Sequence, residues 1–275
     1  MTIPDTITSA TNARVKRLRA LREKKYRRAE GLFLAEGLRL GIEALEAGWE
    51  PKAVAYAADR ADHPLVRRLV RACRGELLPT TPAVLSTLSG KDNPQALVAA
   101  FPIPRRTLAE LAPGPRLLAA DRLRDPGNLG TLLRAADGAG GTGLILLGDC
   151  ADPFSPEAVR ASMGAIFTVP VVHASLEDLL AWKRQHGATL TGAALQPAAR
   201  DYRALPYGNP ALLLLGNEAE GLSAPLLEVC DQLARIPMLG RADSLNVAIA
   251  GALLLYETLR QTSRDSPAAA GEEAS

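Results

Sequence analysis

The chain has 275 residues, nearly half of them hydrophobic, and a formal net charge of +2. This length allows one large domain or two modest ones, each with its own core. No apolar run approaches the roughly 20 residues of a membrane span, and the N-terminus lacks the apolar segment of a signal peptide, so we expect a soluble, cytoplasmic protein.

The cysteines and histidines are spaced too widely for a disulfide framework or a metal site. They are Cys73, Cys150, Cys230, His63, His173 and His186. We therefore expect no metal cofactor, and we expect each of these residues to belong to the core or the surface.

The first predicted element is a cationic amphipathic helix over residues 14–28. This segment has one acid, Glu23, among nine Lys and Arg side chains, while Val15, Leu18 and Leu21 recur at helical spacing. A solvated helix face is the alternative interpretation. So many like charges repel one another unless phosphates neutralise them, and the apolar stripe is thin for a membrane anchor, so nucleic acid is the favoured partner. The candidate RNA-binding residues are Arg22, Lys24, Lys25 and Arg27.

The rest of the N-terminal region predicts a small α/β layer fold. Its elements are a helix over 33–48, a strand over 53–57, a helix over 64–75 and a strand over 96–101. We assign this domain to residues 1–104. Closely spaced prolines and a glycine then predict a linker over residues 105–115.

The second predicted domain spans residues 116–263 and alternates apolar strands with helices. The strands are expected within RLLAAD, GLILLG, FTVPVV, ATLTGA, ALLLLG and LARIPM. Strands this uniformly apolar predict a parallel sheet covered on both faces. The tail, residues 264–275, is small and polar, and we expect it to be disordered.

A Gly-x-Gly-x-x-Gly run, formed by Gly138, Gly140 and Gly143, resembles a dinucleotide fingerprint. Such a fingerprint follows a strand and opens a helix, whereas these glycines end a helical stretch and lead into a strand. They are therefore interpreted as a helix C-cap and a tight turn, which disfavours an NAD-dependent oxidoreductase.

Polar side chains follow three of the predicted strands. Asn128 is expected near the N-cap of a helix that starts near Leu129, with Arg134 within two turns of it. Glu218 lies in the second loop, and a long apolar helix is expected to begin near Ser244 after the third. Loops at the carboxyl edge of a parallel sheet converge, so these side chains predict a common cleft.

Three segments resemble, in order, the motifs of the SpoU (TrmH-like) branch of the SPOUT RNA methyltransferases. They are DPGNLGTLLRAA, LLLGNEAEGLS and IPMLGRADSLNVAIA, and the intervening DPFSPEAVRASMGAIFTVPV is also similar to the family. The resemblance covers residues 116–262. It extends to NARVKRLRALREKKYRRAEGLFLAEGLRL, which is similar to the family's L30e-like substrate-binding module.

The resemblance implies an α/β fold whose catalytic domain contains a trefoil knot, although threaded chains are rare in general. It also implies a homodimer and the transfer of a methyl group from S-adenosylmethionine to a ribose 2′-hydroxyl of RNA. By analogy, an N-terminal domain of this size favours large-subunit ribosomal RNA as the substrate. Methylation of transfer RNA and non-catalytic RNA binding are the alternatives, and the sequence carries no signal for the target nucleotide.

The same resemblance implies a set of site residues. The catalytic group comprises Asn128, Arg134, Glu218, Ser244 and Asn246, and the cofactor-binding group comprises Gly216, Ile236, Met238 and Leu245. Arg134 has been regarded as a base in such enzymes, but a guanidinium keeps its proton, so we expect a phosphate clamp that orients the ribose. Ser244 fits both a contact to the hydroxyl and the N-cap of the last helix, and the proton acceptor stays open.

Overall fold

A computed structural model describes residues 5–264 of the chain. The chain divides into two compact units: Met1–Arg105 with Asp152–Thr168, and Arg106–Ala151 with Val169–Ser275. Asp152–Thr168 therefore belongs to the first unit although it interrupts the second in sequence. Of the tail predicted to be disordered, Arg264 ends the last helix and residues 265–275 lie outside the described residues.

The helices and strands alternate along most of the chain. The helices are α1 (Ala13–Ala20), α2 (Lys24–Glu30), α3 (Leu38–Glu46), α4 (Pro64–Ala72), α5 (Pro82–Ser89), α6 (Pro126–Gly138), α7 (Pro156–Ala161), α8 (Leu176–His186), α9 (Ala224–Val229) and α10 (Val247–Arg264). The strands are β1 (Leu32–Glu36), β2 (Ala53–Ala57), β3 (Glu76–Thr80), β4 (Leu97–Pro102), β5 (Arg116–Asp121), β6 (Leu144–Leu147), β7 (Val171–Ala174), β8 (Thr189–Ala193), β9 (Arg200–Asp201), β10 (Ala211–Leu215) and β11 (Gln232–Arg235).

The first unit is the small α/β fold that the sequence predicts. Its sheet has the order β1-β4-β2-β3, in which only β2 and β3 run parallel. Helices α1 and α5 bury their apolar side chains against one face. On the sheet, Phe33 lies 5.0 Å from Phe154 and 5.9 Å from Phe167, measured between ring centroids. These aromatic contacts explain why the segment with α7 packs in this unit.

The predicted helix over residues 33–48 is wrong in its first part. Residues Phe33, Leu34 and Ala35 are buried in strand β1, which pairs with β4 in an antiparallel ladder. A short apolar run fits a buried strand as well as a helix, and pairing with a distant strand decides between them. Strand β3 and helix α5 also lie in this unit and were not predicted.

The single cationic helix predicted over residues 14–28 is also wrong, because α1 ends at Ala20 and α2 begins at Lys24. The guanidinium of Arg27 donates to the carbonyl oxygens of Leu21 and Arg22, at 2.9 and 2.7 Å. These two carbonyls would otherwise accept the hydrogen bonds of a continuing helix. The predicted apolar stripe is confirmed, since its three aliphatic side chains are buried.

The second unit is a seven-stranded sheet of order β7-β6-β5-β10-β8-β11-β9. Every pair of neighbours runs parallel, which confirms the predicted parallel sheet. Helix α6 ends at Gly138 and the chain turns through Gly140, with φ of 66°, into β6. The interpretation of the glycine run as a helix end and turn is thereby confirmed.

Candidate active site

The loop after β5 positions Asn128 in the first turn of α6. Asp125 is the N-cap, and its Oδ1 accepts a hydrogen bond of 2.6 Å from the backbone N–H of Asn128. Pro126 occupies the first helical position, where its missing N–H costs nothing. The helix therefore starts three residues earlier than the predicted Leu129, and Asn128 is its third residue, near the N-cap as expected.

The loop after β10 is closed by Asn217. Its backbone N–H donates to the Gly221 oxygen at 3.1 Å and its oxygen accepts from the Gly221 N–H at 2.9 Å. The side-chain amide of Asn217 also donates to the Arg122 oxygen at 2.9 Å, which ties this loop to the loop after β5. Asn217 was not among the predicted site residues. Its position two residues after the end of a buried strand was the signal that could have identified it.

Gly216 lets the chain pack closely on itself at the main cleft. A Cβ at this position would lie 2.1 Å from the Gly221 carbonyl carbon and 2.3 Å from the Leu222 nitrogen. No side chain fits there. Glycine at 216 therefore permits the loop to fold back on the end of β10.

Glu218 connects the second loop to the first. Its carboxylate accepts hydrogen bonds from the backbone N–H groups of Arg124 and Asp125, at 3.3 and 3.1 Å, and from the Asn128 side-chain amide at 3.4 Å. Partial burial acts to raise the pKa of Glu218, but hydrogen bonds from backbone N–H groups and from Asn128 outweigh it and leave the pKa below its usual value. The side chain is therefore an ionised brace at neutral pH.

Asn246 joins the third loop to this arrangement. Its Oδ1 accepts from the backbone N–H groups of Ala248 and Ile249, at 2.9 and 3.3 Å, at the start of α10. Its Nδ2 donates to Asn128 Oδ1 at 2.8 Å. Asn246 therefore occupies the capping position that Ser244 was expected to be able to fill. The capping alternative for Ser244 is wrong because the helix begins at Val247.

A cleft of about 300 Å³, which we call the main cleft, opens beside these loops. It is lined by the four predicted cofactor-binding residues Gly216, Ile236, Met238 and Leu245, by Glu218 and Ser244 of the predicted catalytic group, and by neighbours that include Leu195, Gln196, Leu222 and Val247. Ligand-binding pockets of proteins start at about this volume and have mostly apolar walls with a few polar groups. The main cleft has that composition.

Three of the five predicted catalytic side chains thus form one series of hydrogen bonds, from Glu218 to Asn128 to Asn246. Ser244 lies at the main cleft. Arg134 lies elsewhere, on the exposed face of α6. Within residues 5–264 its guanidinium has no hydrogen bond or ion pair to another side chain, so it is available to a ligand.

The four predicted RNA-binding residues separate into two groups. Arg22, Lys24 and Lys25 are exposed, and Lys25 pairs with Glu23 at 3.2 Å. Arg27 is only 3% exposed and binds Asp152 through Nε and Nη2, at 3.0 and 2.5 Å. Its assignment to RNA is a misassignment, because a guanidinium committed to a buried carboxylate has no surface left for a phosphate.

Two further features bear on the kind of site. Across the part of the chain that the structure describes, no group of three or more His, Cys, Asp or Glu side chains could hold a metal ion. Over the same residues, no helix combines the length and the hydropathy that crossing a membrane requires.

Comparisons with known proteins match both units. A family model described as the SpoU rRNA Methylase family matches residues 115–256, and one described as an MRM3-like substrate binding domain matches residues 12–99. The 23S rRNA (uridine(2479)-2'-O)-methyltransferase of Streptomyces viridochromogenes is 34% identical over 92% of this chain and 91% of its own. The 23S rRNA (guanosine(2553)-2'-O)-methyltransferase RlmP of Bacillus subtilis is 34% identical over 91% of this chain and 97% of its own.

A solved structure gives the same result. The AdoMet-bound rRNA methyltransferase from Sinorhizobium meliloti superimposes with a TM-score of 0.86 at 42% identity, and the match covers 94% of this chain and 98% of that one.

Proposed function

Because the chain belongs to the SpoU rRNA methylase family, we propose that it transfers a methyl group from S-adenosylmethionine to a ribose 2′-hydroxyl of large-subunit ribosomal RNA. The observation that carries this proposal is the hydrogen-bonded chain Glu218–Asn128–Asn246 beside the main cleft. It joins all three polar loops in one arrangement.

The residues of the main cleft fit the cofactor. Ile236, Met238 and Leu245 offer apolar walls for an adenine ring, and the carboxylate of Glu218 lines the same cleft. Since the lowered pKa keeps Glu218 ionised, its charge favours a cationic ligand over a neutral one. When bound, S-adenosylmethionine supplies a methyl group on a positively charged sulfonium, which is an excellent leaving group.

The enzyme's own task is therefore alignment of the ribose oxygen and loss of its proton. Asn128 and Asn246 hold the first and third loops at a fixed separation through their 2.8 Å hydrogen bond. Arg134, which keeps its proton, clamps an RNA phosphate and so orients the ribose. Glu218 braces the loops, because its oxygens already accept three hydrogen bonds.

We further propose that the protein is a cytoplasmic homodimer with a knotted catalytic domain. The knot accords with the sheet order, in which β10 is inserted between β5 and β8 although it follows both in sequence. A dimer accords with α10, where Ile249 and Tyr256 are 52% and 51% exposed two turns apart on one face. Sedimentation should give twice the mass of the chain, and a monomer at micromolar concentration would contradict the dimer.

The substrate is tested by mapping 2′-O-methylation in total RNA from cells that lack the protein. We expect one methyl group to disappear from large-subunit ribosomal RNA and to return with the wild-type chain but not with Arg134→Ala. A loss from transfer RNA instead would establish the alternative substrate. An unchanged methylation map would overturn the proposed function.

A further inference from the structure

A second, smaller cleft lies within the first unit. Three basic side chains from separate segments line it: Arg22 from the turn between α1 and α2, Lys91 from the loop between α5 and β4, and Arg160 from α7. We call it the basic cleft. Its other lining residues are mostly apolar and include Leu34, Leu40, Leu88, Val98 and Val159.

The charges of the basic cleft are not balanced. Glu36 is the one acid among its lining residues, and its carboxylate binds Lys91 Nζ at 2.7 Å. It also accepts from the Gln95 backbone N–H at 3.4 Å, so its charge is already engaged. Among residues 5–264, the ion pairs found involve neither Arg22 nor Arg160. Two uncompensated positive charges therefore face one concavity, which favours an anion.

The backbone of Gly90 makes room for one of these charges. A Cβ at this position would lie 1.9 Å from Nη1 and 2.3 Å from Cζ of Arg22, so the guanidinium rests directly on the glycine. Gly90 also has φ of 67°, in the left-handed region that glycine adopts without strain. A side chain there would displace Arg22 from the cleft.

The size of the basic cleft selects the group that binds. Its volume is about 40 Å³. A single water needs roughly 10 to 15 Å³ on this measure, so the space holds a few waters or one tetrahedral anion. A nucleobase is too large to enter. Guanidinium groups are well suited to phosphate oxygens, to which they can donate two parallel hydrogen bonds.

We propose that the basic cleft binds one backbone phosphate of the RNA substrate, held by Arg22, Arg160 and Lys91. The proposal rests on the proposed function for the identity of the ligand. The proposal adds Arg160 to the RNA-binding residues. The match to the substrate-binding domain ends at residue 99, whereas Arg160 lies within the match to the methylase family. One RNA-binding residue of the first unit therefore comes from the part of the sequence that matches the methylase family.

The test compares Arg160→Gln, Arg22→Gln and the double variant with Arg71→Gln. Arg71 is an exposed arginine on α4 in the same unit and does not line the basic cleft, so it controls for general charge loss. RNA binding is measured over a salt series, and methyl transfer over a range of RNA concentrations. We expect the double variant to lower the log–log salt slope by about 0.7 to 0.9 and to raise KM for RNA with kcat unchanged.

The control should match the wild type in both measurements, and all melting temperatures should agree. A wild-type salt slope and KM in the double variant would overturn this proposal while leaving methyl transfer, and hence the proposed function, intact. If inorganic phosphate alone stabilises the wild type and RNA binding is unaffected by the substitutions, the cleft is a free-anion site and the proposal is wrong. A wild-type chain that neither binds nor methylates RNA would overturn both proposals.

Discussion

Glu218 is the residue on which the geometry of the site depends most. Its single carboxylate holds two backbone N–H groups of the first loop and the amide of Asn128, which in turn holds Asn246. The three hydrogen bonds to the carboxylate are charge-assisted and therefore stronger than neutral ones. Removing the charge should loosen all three loops at once.

Glu218→Gln is expected to weaken S-adenosylmethionine binding at least tenfold. A hydrogen bond to a charged group is worth about 1.5 to 3 kcal/mol, and the Gln amide nitrogen cannot accept one. Isothermal titration measures the effect. The matched control is Glu228→Gln, which removes an exposed carboxylate of the same unit that does not line the main cleft. Equal affinities for the wild type and both variants would show that the brace does not shape the cofactor site.

The lowered pKa of Glu218 also predicts a pH dependence of stability. A carboxyl group whose pKa is lower in the folded state stabilises the protein above its unfolded pKa, and this contribution is lost as the pH falls through the folded value. The wild type should therefore exceed Glu218→Gln in unfolding free energy at neutral pH, and the difference should shrink in acid. Urea denaturation at several pH values measures it. A difference that grows as the pH falls would contradict the assigned shift.

Among the elements, helix α10 is capped by Asn246, whereas its neighbour Ser244 lines the main cleft. Asn246→Ala should destabilise the protein by about 1 kcal/mol, because two N–H groups at the start of α10 lose their acceptor. Ser244→Ala should leave stability unchanged and affect only binding at the main cleft. Denaturant titration of both variants tests the pair, and an equal loss for Ser244→Ala would return the capping role to that residue.

The turn between α1 and α2 depends on Arg27 and Asp152. Their side chains are 3% and 16% exposed, so replacing Arg27 by Met leaves a nearly buried carboxylate without a cation. We expect a loss of about 3 kcal/mol of stability. Arg28→Met, at an exposed neighbouring position of α2, is the control and should cost little. Weaker RNA binding by Arg27→Met at full stability would instead restore its role as a phosphate contact.

These elements also show what the sequence could and could not predict. The strands of the second unit were predictable because short, continuous apolar runs are typical of parallel strands that are buried on both faces of a sheet. The break after α1 was not, because it depends on a partner of Arg27 that lies 125 residues away. At the candidate site, the three polar loops were predictable because their polar residues follow apolar strands. The hydrogen bond between Asn128 and Asn246 spans 118 residues and leaves no local pattern.

In the molecule as a whole, one segment that lies within the methylase match in sequence packs in the first unit. The methylase match covers residues 115–256, yet Asp152–Thr168 packs with the first unit through Phe154 and Phe167. A deletion of the first unit would therefore leave this segment without its aromatic partners. Substrate binding and chemistry should for this reason be dissected by point substitutions in the full chain.

As a member of the SpoU rRNA methylase family, this chain is expected to methylate a ribose oxygen of RNA with S-adenosylmethionine. The most direct test is to incubate the purified protein with isotopically labelled S-adenosylmethionine and large-subunit ribosomal RNA, and to identify the labelled nucleoside by mass spectrometry. We predict a 2′-O-methylated nucleoside that is absent when Arg134 is replaced by Ala. Label on a nucleobase, or no label in RNA under conditions where the cofactor binds, would show that the chain is not a ribose 2′-O-methyltransferase.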